Sequence, residues 1–600
     1  MGGNPGRYGL RIDRVSLSTD PQTLARTRPG ATRGVLTGLI SAATGLGIGQ
    51  LVAGIIRPQA SPVVAVGGAA IDLTPAPVKN FAISTFGSHD KPVLVLGILV
   101  VLAVFAVLAG LAAMRRLGYG LAGLALFAAV AIDAAQTRPD AHTFDALPTV
   151  AAAAAAAVVM TLLVRATAGR RAPLPHGSRP EAADPAPTPG VAAAPTPGVA
   201  DQAPTPGVAD PAPTPGVADQ APAPGIPAGP GRGPVTDRPV ARGTSAQPGR
   251  RQFLATGSVA VAVAGVSTLA GGALGARTTA SSARSAVRLP APAHMAPPLP
   301  AGSDLRLSGL SPFVTPNSSF YRVDTALIVP AVTPASWRLR IHGMVEREIT
   351  LTYRDLLRLP LTETYVTLAC VSNPVAGPYI GNARWLGASL ASLLRAARVR
   401  AGAEQLLCTS TDGFTSGTPV QAVLDGRDAL LAVAMNGAPL PFAHGFPVRM
   451  VAPGLYGYVS ATKWVTDIKV TTWADRAYWI QRGWSQQAPI KTESRIDVPA
   501  QGGTVHAGKT PVAGVAWAQH KGIEAVEVRV DRGPWQRARL AAVPGIDTWR
   551  QWVLDWDAAP GHHVIEARAT DATGYTQTGF TLPPEPNGAT GYPSVAVSVQ

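Results

Sequence analysis

The sequence predicts three architectures in one chain: a helical membrane anchor, an α+β domain and a C-terminal all-β sandwich. Three observations predict this. Apolar runs long enough to cross a bilayer fall in the first 276 residues, globular composition begins near residue 301, and short alternating strands with turn signals recur after 490. A chain of 600 residues exceeds what a single core holds. Only 14% of its residues are charged and its mean hydropathy is +0.18, a balance that membrane segments produce. The net charge of +15 raises the question of nucleic acid. The arginines, however, cluster beside apolar runs, where membrane topology explains them, so no nucleic-acid partner is expected.

Residues 1–33 form a basic cytoplasmic tail carrying Arg7, Arg11, Arg14, Arg26, Arg28 and Arg33. A four-helix anchor over 34–165 comes next, with spans Gly34–Ile56, Val93–Met114, Leu117–Ala135 and Leu147–Val164. Pro62–Ile71 is too short to span and reads as an interfacial or re-entrant piece. The tail, Arg115–Arg116 and the Arg165–Arg171 segment place one side of the anchor in the cytoplasm, and the loops around 57–92 and 136–146 on the other. His89, His142 and His176 lie outside the spans, so no bis-histidine haem site is visible, and the unit reads as an anchor or docking module.

Residues 166–249 are a proline-rich linker in which Thr-Pro-Gly-Val-Ala recurs from Thr188, Thr196, Thr205 and Thr214, too short a period to stack into a solenoid. Within 250–276, Arg250-Arg251-Gln252-Phe253-Leu254 precedes a mild Gly/Ala/Val-rich run. It reads either as an ordinary fifth transmembrane helix with basic flanks or as a twin-arginine export signal. Both readings put the residues beyond about 280 outside the cytoplasm, making this a multi-pass cell-membrane protein with an extracytoplasmic domain. Residues 277–300 read as a tether.

Residues 301–490 mix strands (Trp337–His342, Ile349–Leu351, Gln405–Thr409, Val448–Ala452, Ile468–Thr472) with helices (Tyr353–Leu357, Ala388–Ala397), an α+β pattern. In 491–600 the expected strands are Val512–Trp517, Ala525–Asp531, Trp552–Trp556, Val564–Thr570 and Val595–Val599, with Trp517, Trp535, Trp552 and Trp556 in the core. His562 and His563 read as hairpin residues.

The chemistry is expected around Tyr365-Val-Thr-Leu-Ala-Cys370-Val-Ser-Asn373-Pro-Val-Ala-Gly377, a strand running into a turn. A cysteine at that junction is a soft metal ligand, a nucleophile or simply a small buried residue. Cys370 and Cys408 are the two cysteines in the chain, so one disulfide is possible, but no iron–sulfur cluster or Cys-x-x-Cys-His haem site can be built. Cys408 reads as a core strand residue, and pairing it with Cys370 would disable a metal site.

Three motifs make residues 312–600 resemble the sulfite-oxidase family of molybdopterin enzymes: Phe320-Tyr321-Arg322-Val323-Asp324; Leu368-Ala-Cys370-Val-Ser-Asn373 with Ala383-Arg384-Trp385-Leu386-Gly387 after it; and Met435-Asn436-Gly437 through His444-Gly445-Phe446-Pro447-Val448-Arg449 to Lys463-Trp464. The resemblance implies that Cys370 is the protein thiolate on molybdenum. It implies that His444, Arg449 and Lys463 hold the pterin phosphate and that Arg322 faces the metal cleft. Asn317, Tyr321, Asp324, Asn373 and Asp412, the last in Asp412-Gly413-Phe414, would complete the cofactor surroundings. The bland alternatives are a capped-turn His444 and a solvated Lys463. The C-terminal sandwich matches the family's immunoglobulin-like dimerisation domain in position, which implies a homodimer. The chain departs from the family where a tyrosine is expected near the metal: Trp484 stands closest to that position, with Tyr478 as another candidate for the catalytic cleft.

The resulting expectation is a membrane-tethered extracytoplasmic oxidoreductase carrying molybdopterin and performing oxo-transfer chemistry on a small molecule. It would exchange electrons with a separate cytochrome or quinone-linked partner. The alternatives are a reductase of S-oxides, N-oxides or protein methionine sulfoxide, and a non-enzymatic surface scaffold with a degenerate cofactor fold.

Overall fold

The computed structural model describes residues 29–75, 78, 90–138, 141–167, 248–274 and 277–600. The basic tail before residue 29, His89, His176, the Thr-Pro-Gly-Val-Ala repeats and the side chain of Arg250 lie outside the described residues.

The N-terminal region is helical: α1 (Pro29–Ile56), α2 (Pro62–Leu73), α3 (Asp90–Arg115), α4 (Leu117–Gln136), α5 (Leu147–Thr167), α6 (Pro248–Leu274) and α7 (Arg277–Ser285). Five of these, all but α2 and α7, are long and apolar enough to cross a membrane. α1 packs against α3, α5 and α6, and glycine permits the close approach. A Cβ on Gly47 would lie 2.6 Å from the Ala264 carbonyl oxygen, one on Gly54 would lie 2.5 Å from that of Gly271, and one on Gly38 would collide with the Ala106 carbonyl. Thr44 adds a polar link by donating its hydroxyl to the Ala260 carbonyl at 3.1 Å. α6, the helix that begins with the paired arginines, is thereby an integral member of the bundle.

The tether is docked. Arg284 donates to the carbonyls of Leu440 and Pro439 at 2.8 and 2.6 Å, and the His294 carbonyl accepts from the Glu363 amide at 2.8 Å.

The middle region holds two sheets, the first mixed and the second antiparallel. One runs in the order Ile349–Thr352, Arg338–Gly343, Val465–Thr471, Gln405–Ser410, Thr415–Pro419, with the second and third strands parallel. The other orders Leu361–Ala369, Ile380–Ser389, Leu430–Met435 and Ala438–Pro439, and Arg449–Val451 also pairs with Leu430–Met435. Their shared core includes Trp337, Leu339, Leu356, Leu390, Leu431 and Val465.

Two local expectations change. Ala388 and Ser389 end a strand instead of opening the helix, because Ser389 caps that helix by accepting from the Ser392 amide. Leu430–Met435 is a strand that alternation does not reveal, since all six residues are buried and both faces are covered.

The C-terminal region has two sheets around one core. The first orders Glu493–Val498, Gly508–Trp517, Arg550–Ala558 and Arg539–Leu540; the second orders Thr504–Val505, Ser594–Val599, Gly561–Asp571, Ile523–Val530 and Gln536–Arg537. Trp552 and Trp556 sit in that core, as expected. Trp517 packs instead in a cluster shared with Ala369, Val371 and Tyr456. Trp535 is half-buried between the guanidinium groups of Arg529 and Arg568, at 4.5 and 4.3 Å from its ring. A broad indole on a charged sheet face gains cation–π contact there without entering the core.

The junction between the last two regions runs through Thr367. On the strand Leu361–Ala369, Val366 and Leu368 enter one cluster with Phe320 and Trp385, while Ala369 enters the cluster containing Trp517 and Trp549. The Thr367 amide donates to the Asp547 carbonyl at 2.9 Å, its carbonyl accepts from Gln519 at 3.0 Å, and its hydroxyl donates to Asn382 at 3.0 Å and accepts from the Trp549 amide at 2.7 Å. Thr367→Val leaves a buried amide and a buried amide oxygen unpaired, at a cost of about 2 kcal/mol. Thermal unfolding of that variant is expected to show a midpoint lower by ~5 °C, with Thr367→Ser close to the parent.

Candidate functional site

The strand Leu361–Ala369 ends where Cys370 begins a turn. The Cys370 amide donates to the Tyr379 carbonyl at 2.9 Å, and the Asn373 amide donates to the Cys370 carbonyl at 3.1 Å. The Asn373 side chain accepts from the Tyr379 amide at 2.8 Å, whereas its own buried Nδ2 has no partner. Cys370 and Cys408 are both free and buried, so no disulfide ties the site thiol. Burial pushes the Cys370 thiol up, opposed by hydrogen bonding from Ser372 and by the Lys463 charge. Cys408 is a core residue on Gln405–Ser410, and burial raises it to about 12.

Around the thiol stand several basic groups. Arg449 is 5% exposed and lies 4.9 Å over the Trp385 ring. Its guanidinium donates to carbonyl oxygens, those of Met450 (3.4 Å), His444 (3.3 Å) and Ala461 (3.2 Å), and forms no ion pair among the described residues. Burial lowers its pKa to about 10. A buried cation without a counter-ion is costly, and an anionic group placed there removes that cost.

His444 is buried on a short 3-10 turn, Phe442–His444, with its ring edge-on to Phe320 and Nε2 3.2 Å from the Asn317 carbonyl. Gly445 ends the turn at φ +108°, where a Cβ would press on Arg449 and Lys463. Lys463 is not a solvated strand end: its ammonium pairs with Asp324 at 2.5 Å and also meets the Val323 and Ala443 carbonyls. Arg322 reaches the same carboxylate at 3.3 Å with 38% of its side chain exposed.

Tyr321 stacks on Phe320 at 5.3 Å, and burial drives its hydroxyl far above the phenol range. Asp412 is half-buried in the Asp-Gly-Phe loop and accepts from the Phe414 amide at 3.3 Å; desolvation raises its carboxyl. Asn317 donates to the Met435 carbonyl and accepts from Asn436 at 2.8 Å. Asn436, at φ +54°, is a member of this network that sequence reasoning misses, although the Asn436-Gly437 turn signal marks the position.

The structure therefore brings together Asn317, Tyr321, Arg322, Asp324, Cys370, Asn373, His444, Arg449 and Lys463, with Asp412 near Lys463. It places the other two candidates in aromatic clusters to the side. Tyr478 packs on Phe414 at 5.8 Å, beneath the Arg482 guanidinium at 3.5 Å. Trp484 packs on Tyr458 and Trp479 at 5.9 and 6.2 Å, against the cluster that holds Val371.

This donor set suits an anion-bearing cofactor whose metal takes one soft protein ligand. Arg449 provides a buried positive charge, Asn373 Nδ2 an unused donor and Cys370 the sulfur. Burial, then Arg449 and Lys463, hold the His444 imidazole down at about 4, so it is neutral at pH 7. Below pH 6.5 the unfolded chain protonates this histidine while the folded chain resists. Stability is therefore expected to fall between about pH 6.5 and 4, and chemical denaturation of His444→Gln should show less of that loss.

The chain is similar to several known proteins. The family described as oxidoreductase molybdopterin binding domain matches residues 326–479. Sulfite oxidase of Gallus gallus is 31% identical over 320 residues, covering 45% of this chain and 69% of that protein. Mitochondrial sulfite oxidase of Rattus norvegicus is 30% identical over 289 residues, covering 40% of this chain and 53% of the relative, so the chain spans about half of the mammalian protein. The crystal structure of the sulfane dehydrogenase SoxCD from Paracoccus pantotrophus is 24% identical with a TM-score of 0.42, covering 49% of this chain and 85% of that one.

Proposed function

We propose, for a chain that belongs to the sulfite-oxidase family of molybdopterin oxidoreductases, a membrane-tethered, extracytoplasmic enzyme that carries out two-electron oxo transfer on a small molecule. The chain is an oxidoreductase, which removes the scaffold alternative. The observation that carries the functional reading is the buried Arg449, without an ion-pair partner among the described residues, in the same site as the strand-end thiol of Cys370.

In this reading Cys370 ligates molybdenum as a thiolate, and Arg449, Lys463 and neutral His444 hold the pterin phosphate. Asn373 donates through its unused Nδ2. Asn317 fixes the His444 ring and, with Asn436, the turn beside it. Asp324 orients Lys463 and Arg322 together, leaving Arg322 to meet a polar substrate at the opening. Tyr321 and Asp412 close the site against water. Tyr478 and Trp484 shape its flank. When bound, the cofactor supplies the two-electron redox chemistry and the oxygen-atom transfer.

Reduction of S-oxides, N-oxides or protein methionine sulfoxide is the second reading. It is favoured by the pairing of Arg322 with Asp324, which leaves less free positive charge for a dianion such as sulfite.

Several further assignments belong to the same proposal. The five apolar helices are a multi-pass anchor, with the paired arginines at the start of α6 acting as a twin-arginine-type signal. The contact of α2 with residues near 327 supports placing the catalytic region on the side of the α1–α3 connection. The domains run 34–165, 166–249, 250–276, 277–300, 301–490 and 491–600. The last is an immunoglobulin-like unit serving a homodimer. A cytochrome or quinone-linked partner exchanges the electrons.

Metal and pterin analysis of the full chain, made in a molybdopterin-producing host, tests the function. About one molybdenum per chain is expected. Cys370→Ser should alter the metal's X-ray absorption signature and lower activity more than ~100-fold, beyond what outer-shell losses usually cost. A folded protein with neither metal nor pterin, or a fully active Cys370→Ser variant, would overturn the assignment.

A further inference from the structure

The loop that carries Arg322 and Asp324 does not end in solvent. It continues through Thr325, Ala326, Leu327 and Ile328, which line one cavity together with residues of the short helix α2. Gly67 marks the contact: a Cβ there would lie 2.7 Å from a Leu327 methyl group, so any side chain at this position would have to displace Leu327. Beside the contact is a cavity of about 70 Å³ walled from both regions. Val64 and Ile71 of α2 line it together with Leu327 and Phe414, and Arg138, just beyond α4, and Tyr478 supply polar groups. Arg138 is braced by donating to the Gln59 carbonyl at 2.7 Å.

The cavity borders the cofactor site. Asp412 lines it, and the Asp412 carboxyl is close enough to Asp324 and Lys463 for their charges to act on it. Its walls are of two kinds, apolar side chains from α2, Leu327 and Phe414, and polar groups from Gln59, Arg138, Thr325, Asp412 and Tyr478. Such a lining suits neither a bare, strongly hydrated dianion nor a purely apolar molecule.

We infer that the helical region builds the entrance to the catalytic cleft, and that this vestibule selects small amphiphiles with an apolar substituent and a hydrogen-bond-accepting head, such as an aryl or alkyl sulfoxide. The inference rests on the functional reading above and deepens it by naming a substrate class. Val64 and Ile71 are its specificity-determining residues. They belong to α2 and are no part of the cofactor set around Cys370. They grip the apolar substituent beside Arg138 and Tyr478. A volume near 70 Å³ holds only a few atoms, so the hydrogen-bond-accepting head extends beyond it toward Arg322.

The test uses the full-length holoenzyme in lipid nanodiscs and has two arms. In the first, Gly67→Cys with Leu327→Cys, oxidised under mild conditions, should form a disulfide in most chains. Absence of that cross-link would overturn the vestibule whatever the enzyme's activity. In the second, binding of methyl phenyl sulfoxide and dimethyl sulfoxide is measured by calorimetry, without turnover. The wild-type protein should prefer the phenyl compound by at least ~10-fold, roughly what burying one or two carbon groups confers. Ile71→Glu should abolish the preference and Ile71→Ala should reduce it, with dimethyl sulfoxide binding unchanged in both. An equal affinity in the wild type, or a preference unaffected by both Ile71 variants, would overturn the inference. Molybdenum content, measured on the same samples, reports separately on the cofactor assignment, so failure of either reading is distinguishable.

Discussion

The strand that leads to Cys370 is held in place by one threonine. Thr367 uses its amide, carbonyl and hydroxyl together, meeting Asp547, Gln519, Trp549 and Asn382. Asn382 in turn donates its side-chain amide to the Phe313 carbonyl and its backbone N–H to the Thr315 hydroxyl. Three residues beyond Thr367 the chain delivers Cys370. A strand with one face in an apolar cluster and the other hydrogen-bonded to a second region has little freedom to shift register. The C-terminal sheets are thus part of what positions the thiol, in addition to any role in assembly.

Electrostatics in the site depend on this rigidity. Arg449, Lys463 and Arg322 converge on a volume in which Asp324 is already shared by two of them. Burial and the excess positive charge keep His444 neutral, and Arg449 is left with carbonyl partners. Such an arrangement is unfavourable by itself and becomes favourable when an anion fills it, so cofactor binding and stability are coupled. The same charge arrangement leaves Arg322 partly exposed and paired with Asp324.

The helical region meets this site at two places. Arg322 and Asp324 lie a few residues from Leu327, which α2 contacts at Gly67. Arg284, just after the last long helix, fastens the tether to Pro439 and Leu440, beside the turn that leads to His444. An early helix and the segment after the last one therefore both touch chain that borders the site. α6 lies along α1 with glycines at the crossings, which fits a retained helix in the bundle.

Local chemistry and spacing were enough for part of this picture. Apolar length marked the five long helices and proline and glycine marked the breaks, while Cys370, His444, Arg449 and Lys463 became one set only through the resemblance of three motifs to the sulfite-oxidase family. Two-residue alternation located C-terminal strands such as Ser594–Val599, where one face meets water. It failed at Leu430–Met435, where both faces are covered, and it misplaced Trp535, whose partners Arg529 and Arg568 come from other strands. Tertiary structure alone decided that Arg449 has no ion pair among the described residues, that Thr367 is the junction, and that α2 lies against Leu327. Each depends on groups far apart in the chain, and burial, charge pairing and close approach are properties of space that no local pattern encodes.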